Sequence, residues 1–149
     1  MTQAQTFALK AATVLWIIWG AVHAFAGIMV LLTDAQGAAQ LIADAVDPAE
    51  LVNDYHPAVT GILHQHGWNL LWVGVATTIG AFFIWGANMT SIWVTGMLGG
   101  LFDIGYFVFL DVGGFSGFVP GTIMTFVSAT AIILSFWVWL TNRSEAVTV

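Results

Sequence analysis

Residues 11–32 read AATVLWIIWGAVHAFAGIMVLL, and this stretch decides the class of the protein. It contains no Asp, Glu, Lys or Arg, and His23 is its one titratable side chain. A hydrocarbon core of about 30 Å is crossed by about 20 helical residues. An apolar run of this length therefore predicts a helix that spans a membrane.

Three further stretches have the same character, and we predict spans at about 60–85, 91–110 and 120–140. None shows the alternating pattern of a membrane β-barrel strand, and helices satisfy their own backbone amides in lipid. Short connections make sequential helices antiparallel neighbours. The predicted fold is all-α: a single membrane domain over residues 1–149, built as an up-down-up-down bundle of four transmembrane helices.

Composition excludes most other classes of protein. Of the 149 residues, 59% are hydrophobic and 7% are charged, whereas soluble domains carry about 25% charged residues. The apolar content excludes intrinsic disorder. Lys10 and Arg143 are the only cations, so no basic patch is available for nucleic acid. The chain has no cysteine, which excludes disulfides and thiolate metal sites. We therefore expect the protein to lie in a lipid bilayer.

The two cations also predict an orientation. Lys10 precedes the first span and Arg143 follows the fourth, while the connections at 33–57 and 111–119 contain no cation. The positive-inside rule then places both termini in the cytoplasm and the acidic loop at 33–57 outside. We expect a multi-pass protein of a bacterial inner membrane.

The acidic loop is expected to be partly helical. Asp47-Pro48-Ala49-Glu50 combines an N-cap residue, a proline at the first helical position and an acid at the third. This pattern predicts a short amphipathic helix at the outer surface, from Pro48 to about Tyr55. A weaker helical turn is expected at 38–45.

Polar side chains at membrane depth are the first candidates for function, because they are costly there. At a rise of about 1.5 Å per residue, His23 lies about 20 Å above Lys10, and Asp103 lies about 20 Å above Thr90. Asp103 shares a helix face with glycines, so it points into protein. His23 and Asp103 are therefore predicted to be either a proton-handling pair or a hydrogen-bonded pair that fixes helix packing.

A second polar layer lies nearer the outer surface. His64, His66 and Asp111 are candidate metal ligands, since imidazole and carboxylate suit zinc, copper or iron. In a helix, however, neighbours two apart point about 200° away from each other. Histidines at the interface with no ligand role are the alternative. A haem held between His23 and His66 is a further alternative, although the depth estimate separates the two by about 10 Å.

Residues 68–74 (WNLLWVG) and 99–106 (GGLFDIGY) resemble the middle of the small four-helix membrane proteins grouped as DoxX-like and BphX-like. Those families share the chain length, a long first outer loop and an acidic residue in the third helix, which is Asp103 here. DoxX-type members are associated with quinone-linked sulfur oxidation. The resemblance implies a membrane-redox or accessory-subunit role.

Two hypotheses of function follow. The favoured one is an accessory or packing subunit, or a homo-oligomer, in a membrane assembly that is redox-linked if the resemblance holds. Its motivation is the glycine-rich face of the third span, which can pack within the bundle or across an interface. The alternative is a metal-, haem- or quinone-dependent membrane oxidoreductase with a His/Asp site in the outer half. The favoured hypothesis does not require the protein to be an enzyme.

Overall fold

The computed structural model describes residues 1–146, with side chains through residue 142. The described part is helical and contains no strand. Four of its helical segments are long and apolar enough to cross a membrane, which confirms the predicted all-α class and the number of candidate spans. The helices in chain order are α1 (Gln3–Leu31), α2 (Ala35–Ile42), α3 (Pro57–Trp85), α4 (Met89–Tyr106) and α5 (Ile123–Ala146).

The helix α4 is extended by a π-helical turn, Phe107–Asp111. The candidate third span therefore runs to Asp111, close to the predicted end at residue 110. Residues Phe118–Thr122 lead into α5, but the chain is kinked there, because Val119 has extended backbone angles (φ −122°, ψ 124°). The connection between α4 and α5 is short.

The first helix begins well before the predicted start near residue 11. Thr2 and Gln5 form a capping box, in which the Gln5 N–H donates to Thr2 Oγ1 (3.3 Å) and the Thr2 N–H donates to Gln5 Oε1 (2.7 Å). The Gln5 amide also donates to Thr141 Oγ1 of α5, at 3.0 Å. Polar capping and a contact between helices thus extend α1 beyond its apolar run.

The early start places Lys10 inside α1 rather than before it. Its Nζ lies 5.1 Å from the centroid of the Trp85 ring, at the end of α3. A cation over an indole face is electrostatically favourable. The side chain of Arg143, the other predicted orientation marker, lies outside the described residues.

Glycines bring α1 and α3 into backbone contact. Gly20 lies against Gly74, and Gly27 lies against Gly67, so the contacts run in opposite chain order. A Cβ at Gly27 would lie 2.5 Å from the Gly67 carbonyl oxygen. Small residues at these positions allow a close approach that any side chain would prevent.

The glycine face of α4 packs inside the chain. A Cβ at Gly96 would meet Phe136, one at Gly100 would meet Ile132, and one at Gly99 would meet the ring of Trp16. Phe136 and Ile132 belong to α5 and Trp16 to α1, so α4 is held by both helices. This face is therefore already covered by the protein's own side chains.

The acidic loop at 33–57 differs from its prediction in two places. The expected turn at 38–45 is the helix α2, whose first turn is capped by Asp34 through a bond from the Gly37 N–H to Oδ1 (2.8 Å). The expected helix from Pro48 to Tyr55 is wrong in length, because only Pro48–Leu51 form a 3-10 turn. The next residue, Val52, has extended backbone angles (φ −77°, ψ 106°), which end the turn.

The close approach of α1 and α3 predicts a large difference between two substitutions in the same helix. A methyl group at residue 74 would lie 2.5 Å from Ala24 N and Gly20 O, so Gly74→Ala should lower the free energy of unfolding by about 1–3 kcal/mol. Gly61→Ala is the matched control, because a Cβ there has nothing within 4 Å. The control should be neutral, or stabilising by up to about 1 kcal/mol. Thermal unfolding in detergent, followed by circular dichroism, measures both; equal melting temperatures would contradict the close approach.

Candidate functional site

His23 is held by the helical turn that precedes it. Its Nδ1 lies 2.8 Å from the backbone oxygen of Trp19, and its ring stacks on the Trp19 indole with 3.7 Å between the centroids. A carbonyl oxygen can only accept a hydrogen bond, so Nδ1 carries a proton and donates it. Nε2 is then the atom that His23 presents to the other helices.

Asp103 of α4 is the group that faces His23. Its Oδ2 accepts a hydrogen bond from Trp19 Nε1 (2.8 Å), and its Oδ1 lies 3.7 Å from His23 Nε2. Both residues are buried, at 7% and 4% exposure. The structure thus brings the two predicted residues together through Trp19. The role of this pair, proton handling or packing, stays a prediction.

The 3.7 Å between His23 Nε2 and Asp103 Oδ1 is longer than a hydrogen bond. With the imidazole neutral and the carboxylate ionised, both atoms are acceptors. When one of the two atoms takes up a proton, it can donate to the other; a third group can instead donate to either of them. Ser128 of α5 also hydrogen-bonds to the Asp103 carboxylate. The pair can therefore accept a proton or a further donor.

A cavity of about 300 Å³ lies beside the pair, at the lower end of the range of about 300–1,000 Å³ that small-molecule sites occupy. His23, His66, Asp103 and Tyr106 supply polar groups to its wall, and so do Gln40 and Asp44. Most of the remaining wall is apolar and comes from α1, α2, α3, α5 and the turn before α5: Val22, Phe25, Ala26, Met29, Val30, Leu41, Ile42, Leu70, Pro120 and Met124.

The cavity reaches the surface of the protein. Phe25 of α1 and Leu41 of α2 both line it, and they are 65% and 45% exposed. Phe25 belongs to a helix that is apolar enough to span a membrane. An apolar molecule in the surrounding lipid would therefore meet the cavity along the side of α1.

The loop between α1 and α3 and the loop between α4 and α5 are joined at one end of the cavity. The Gly117 N–H donates to Asp44 Oδ1 (2.6 Å), and the Ala45 N–H donates to the Phe115 carbonyl (3.1 Å). The hydroxyls of Tyr106 and Ser116 are hydrogen-bonded to each other.

His66 lines the same cavity as His23. Its ring stacks on Phe102 with centroids 6.3 Å apart, and the His23 ring meets the same phenyl group edge-on at 6.1 Å. The depth difference predicted from the sequence therefore does not separate the two histidines into different sites. The haem alternative stays a prediction.

The predicted metal set is not assembled. His64 and His66 both lie in α3, so they point to different sides: His64 Nε2 is 2.9 Å from the Thr33 carbonyl, whereas His66 stacks on Phe102. Asp111 accepts hydrogen bonds from two threonine hydroxyls of the fourth span, Thr122 (2.8 Å) and Thr125 (3.4 Å). Within the side chains that the structure describes, no group of three or more His, Asp or Glu could hold a metal ion.

Several residues of the site were not predicted from the sequence. Trp19 shares a helix face with His23, one turn earlier, and Tyr106 stands three residues after Asp103, so helical spacing could have included both. Asp44 offered no such pattern, because its partner is a backbone N–H at residue 117.

Comparison with protein-family models, with curated proteins and with solved structures found no match for this chain. The resemblance of residues 68–74 and 99–106 to the DoxX-like proteins stays a prediction. What the site can do chemically follows from its geometry.

The Trp19–Asp103 hydrogen bond predicts a measurable loss of stability. Trp19→Phe keeps an aromatic ring against His23 but leaves Asp103 Oδ2 without its indole donor, so the free energy of unfolding should fall by about 1–3 kcal/mol. Trp16→Phe is the control, because Trp16 is as deeply buried as Trp19 but its indole N–H has no hydrogen-bond partner among the described residues. Chemical or thermal unfolding in detergent measures the difference. An equal effect of both substitutions would show that the hydrogen bond does not stabilise the fold.

Proposed function

We propose that this protein is an integral membrane protein that binds the hydroxyl-bearing head group of a lipid-soluble molecule, and that His23 and Asp103 exchange a proton with that head group. The observation that carries the proposal is the 3.7 Å between Nε2 and Oδ1 beside a cavity of about 300 Å³. A hydroxyl beside the pair can donate its one hydrogen to either acceptor.

The shape and lining of the cavity support a ligand with an apolar tail. Its wall is largely apolar, and it is open beside the exposed residues Phe25 and Leu41. A head group at His23 and Asp103 would leave its tail along α1, in contact with lipid. A quinol fits this chemistry, because it combines ring hydroxyls with an apolar tail. The DoxX-like resemblance, which implies quinone-linked chemistry, points to the same class.

A redox role requires a partner. When a quinol releases its protons to His23 or Asp103 and becomes a quinone, its electrons must pass to an acceptor. We propose that a redox group of another membrane subunit receives them, so that this protein is the ligand-binding accessory subunit of a redox-linked assembly. The glycine face of α4 does not support homo-oligomerisation, because Gly96, Gly99 and Gly100 contact α1 and α5 of the same chain.

The proposed topology is an up-down-up-down bundle in a bacterial inner membrane, with both termini cytoplasmic. The opposite chain order of the α1–α3 contacts supports it, as does the position of Lys10 beside Trp85. The cavity would then lie in the outer half of the membrane. We propose α2 as the helix at the outer surface, where Ala35 and Ala38 are buried and Leu41 is exposed.

Ligand binding can be tested by filling the cavity. Ala26 lines it, so Ala26→Leu should weaken the binding of a short-chain ubiquinol at least tenfold, measured by the quenching of tryptophan fluorescence in detergent. Ala21→Leu is the matched control, because Ala21 is an exposed residue of the same helix. Equal affinities of the wild type and both variants, or no quenching at all, would contradict the proposal.

Protein purified from native membranes tests the assembly and the remaining cofactor alternatives. We expect bound quinone in the lipid extract and co-purification of another membrane subunit. A strictly monomeric protein without any partner would contradict the accessory role. A Soret band would instead support the haem alternative, and stoichiometric metal would support the metal alternative.

Asp103→Asn separates proton handling from packing. The asparagine oxygen can still accept the Trp19 N–H, but the amide cannot take up a proton. If the pair handles protons, the variant should fold with a stability within about 1 kcal/mol of the wild type, and its affinity for the ubiquinol should lose most of the pH dependence that the wild type shows. Tryptophan quenching titrations at several pH values measure that dependence. A variant that unfolds, or one whose affinity depends on pH as in the wild type, would contradict a proton-handling role.

A further inference from the structure

Three buried polar atoms near the middle of the bundle have no hydrogen-bond partner among the residues that the structure describes: Trp16 Nε1, Thr77 Oγ1 and Thr95 Oγ1. The three residues are at most 1% exposed. Other buried hydroxyls of the protein bond within their own helix; Thr13 donates to the Leu9 carbonyl at 2.9 Å. Buried polar groups without a protein partner are commonly bonded to ordered water.

The three atoms come from different helices but lie at one level of the bundle. The Trp16 ring lies against Gly99, and Thr95 stands one turn before Gly99 on α4. Thr95 Oγ1 in turn lies against Gly80, and Thr77 stands one turn before Gly80 on α3. At a rise of about 1.5 Å per residue, the three side chains lie in a layer about 6 Å thick. We call them the polar layer.

The polar layer lies between the candidate site and the start of α4. Asp103 follows Gly99 by one turn, which places the carboxylate about 6 Å from the layer on one side. On the other side, Thr95 lines an open groove of about 360 Å³ between α3 and α4, which the exposed side chains of Ile79 and Phe83 also line. Asn88, Thr90 and Ser91 supply polar groups to the other end of that groove. Polar groups thus occur at intervals from the start of α4 to Asp103.

We infer that Trp16, Thr77 and Thr95 bind ordered water, and that this water connects the His23–Asp103 pair to the aqueous phase at the start of α4. A proton that enters at Asn88 passes along the waters, each of which accepts one proton and gives one up, and ends on Asp103 Oδ1 or His23 Nε2. A proton released by the pair takes the reverse path. This connection rests on the proposed function for its purpose, but the binding of water does not depend on it.

The connection would give the pair two separate openings. The ligand cavity lies on one side of the pair along the bundle, where Tyr106 and α2 line it, whereas the polar layer lies on the other side, toward the start of α4. A proton could then leave the pair without passing through the space that the ligand occupies. This separation distinguishes the polar layer from the ligand site already described.

Exchange of the indole N–H of Trp16 with deuterated water tests the inference. NMR of protein with nitrogen-15-labelled tryptophan, in detergent, follows each indole, and Trp16→Phe identifies the resonance. We expect the Trp16 N–H to exchange at least tenfold faster in the wild type than in the double variant Thr77→Val and Thr95→Val, which removes two of the water-binding hydroxyls. Thr130→Val is the matched control, because that hydroxyl donates to the Phe126 carbonyl of its own helix (2.8 Å).

Equal exchange in the wild type and the double variant, together with a higher melting temperature of the double variant, would show that the layer is dry and would overturn the inference. If the double variant does not fold, the test is magnetisation transfer from water to the Trp16 N–H in the wild type. A direct transfer supports bound water, and the absence of transfer overturns the inference. Neither measurement uses a quinol. A failure here therefore leaves the cavity test with Ala26→Leu unaffected, and a failure of ligand binding leaves the Trp16 result unaffected.

Discussion

The hydrogen bond from the Trp19 indole to the Asp103 carboxylate is the interaction on which the rest of the structure depends. It joins α1 to α4 where both helices are buried, and it satisfies one oxygen of an acid that would otherwise be costly at membrane depth. The same residue orients His23 through its backbone oxygen and its ring. One tryptophan thus fixes the position of the acid and of the base, and it leaves one atom of each facing the other.

Glycines make this arrangement sterically feasible. Glycines allow the backbones of α1 and α3 to touch. On α4, the missing side chain of Gly99 leaves room for the large ring of Trp16. Two fully buried tryptophans one turn apart then occupy the centre of the bundle. Because these bulky side chains fill the centre of the bundle, the space left for a ligand lies beyond them, next to His23 and Asp103.

The sequence was sufficient to predict features that depend on one helix at a time. Apolar runs predicted four spans, and depth along a helix brought His23 and Asp103 together as candidates. The sequence was insufficient to predict features that depend on contacts between residues far apart in the chain. The start of α1 depends on Thr2, Gln5 and Thr141 rather than on hydropathy. The metal set failed because α3 stays helical through His64 and His66, and Asp44 joined the site through a backbone amide that no spacing could indicate.

The contacts between the two loops have a consequence for where a ligand comes from. Hydrogen bonds from Gly117 to Asp44 and from Ala45 to Phe115 join the loops at the end of the cavity that Asp44 lines, while the apolar side of the cavity reaches the surface beside Phe25. In the proposed topology, a molecule that enters beside Phe25 has first partitioned into the bilayer. Occupancy of the site would then follow the mole fraction of the ligand among the lipids, so that this protein samples the composition of its membrane rather than that of the surrounding solution.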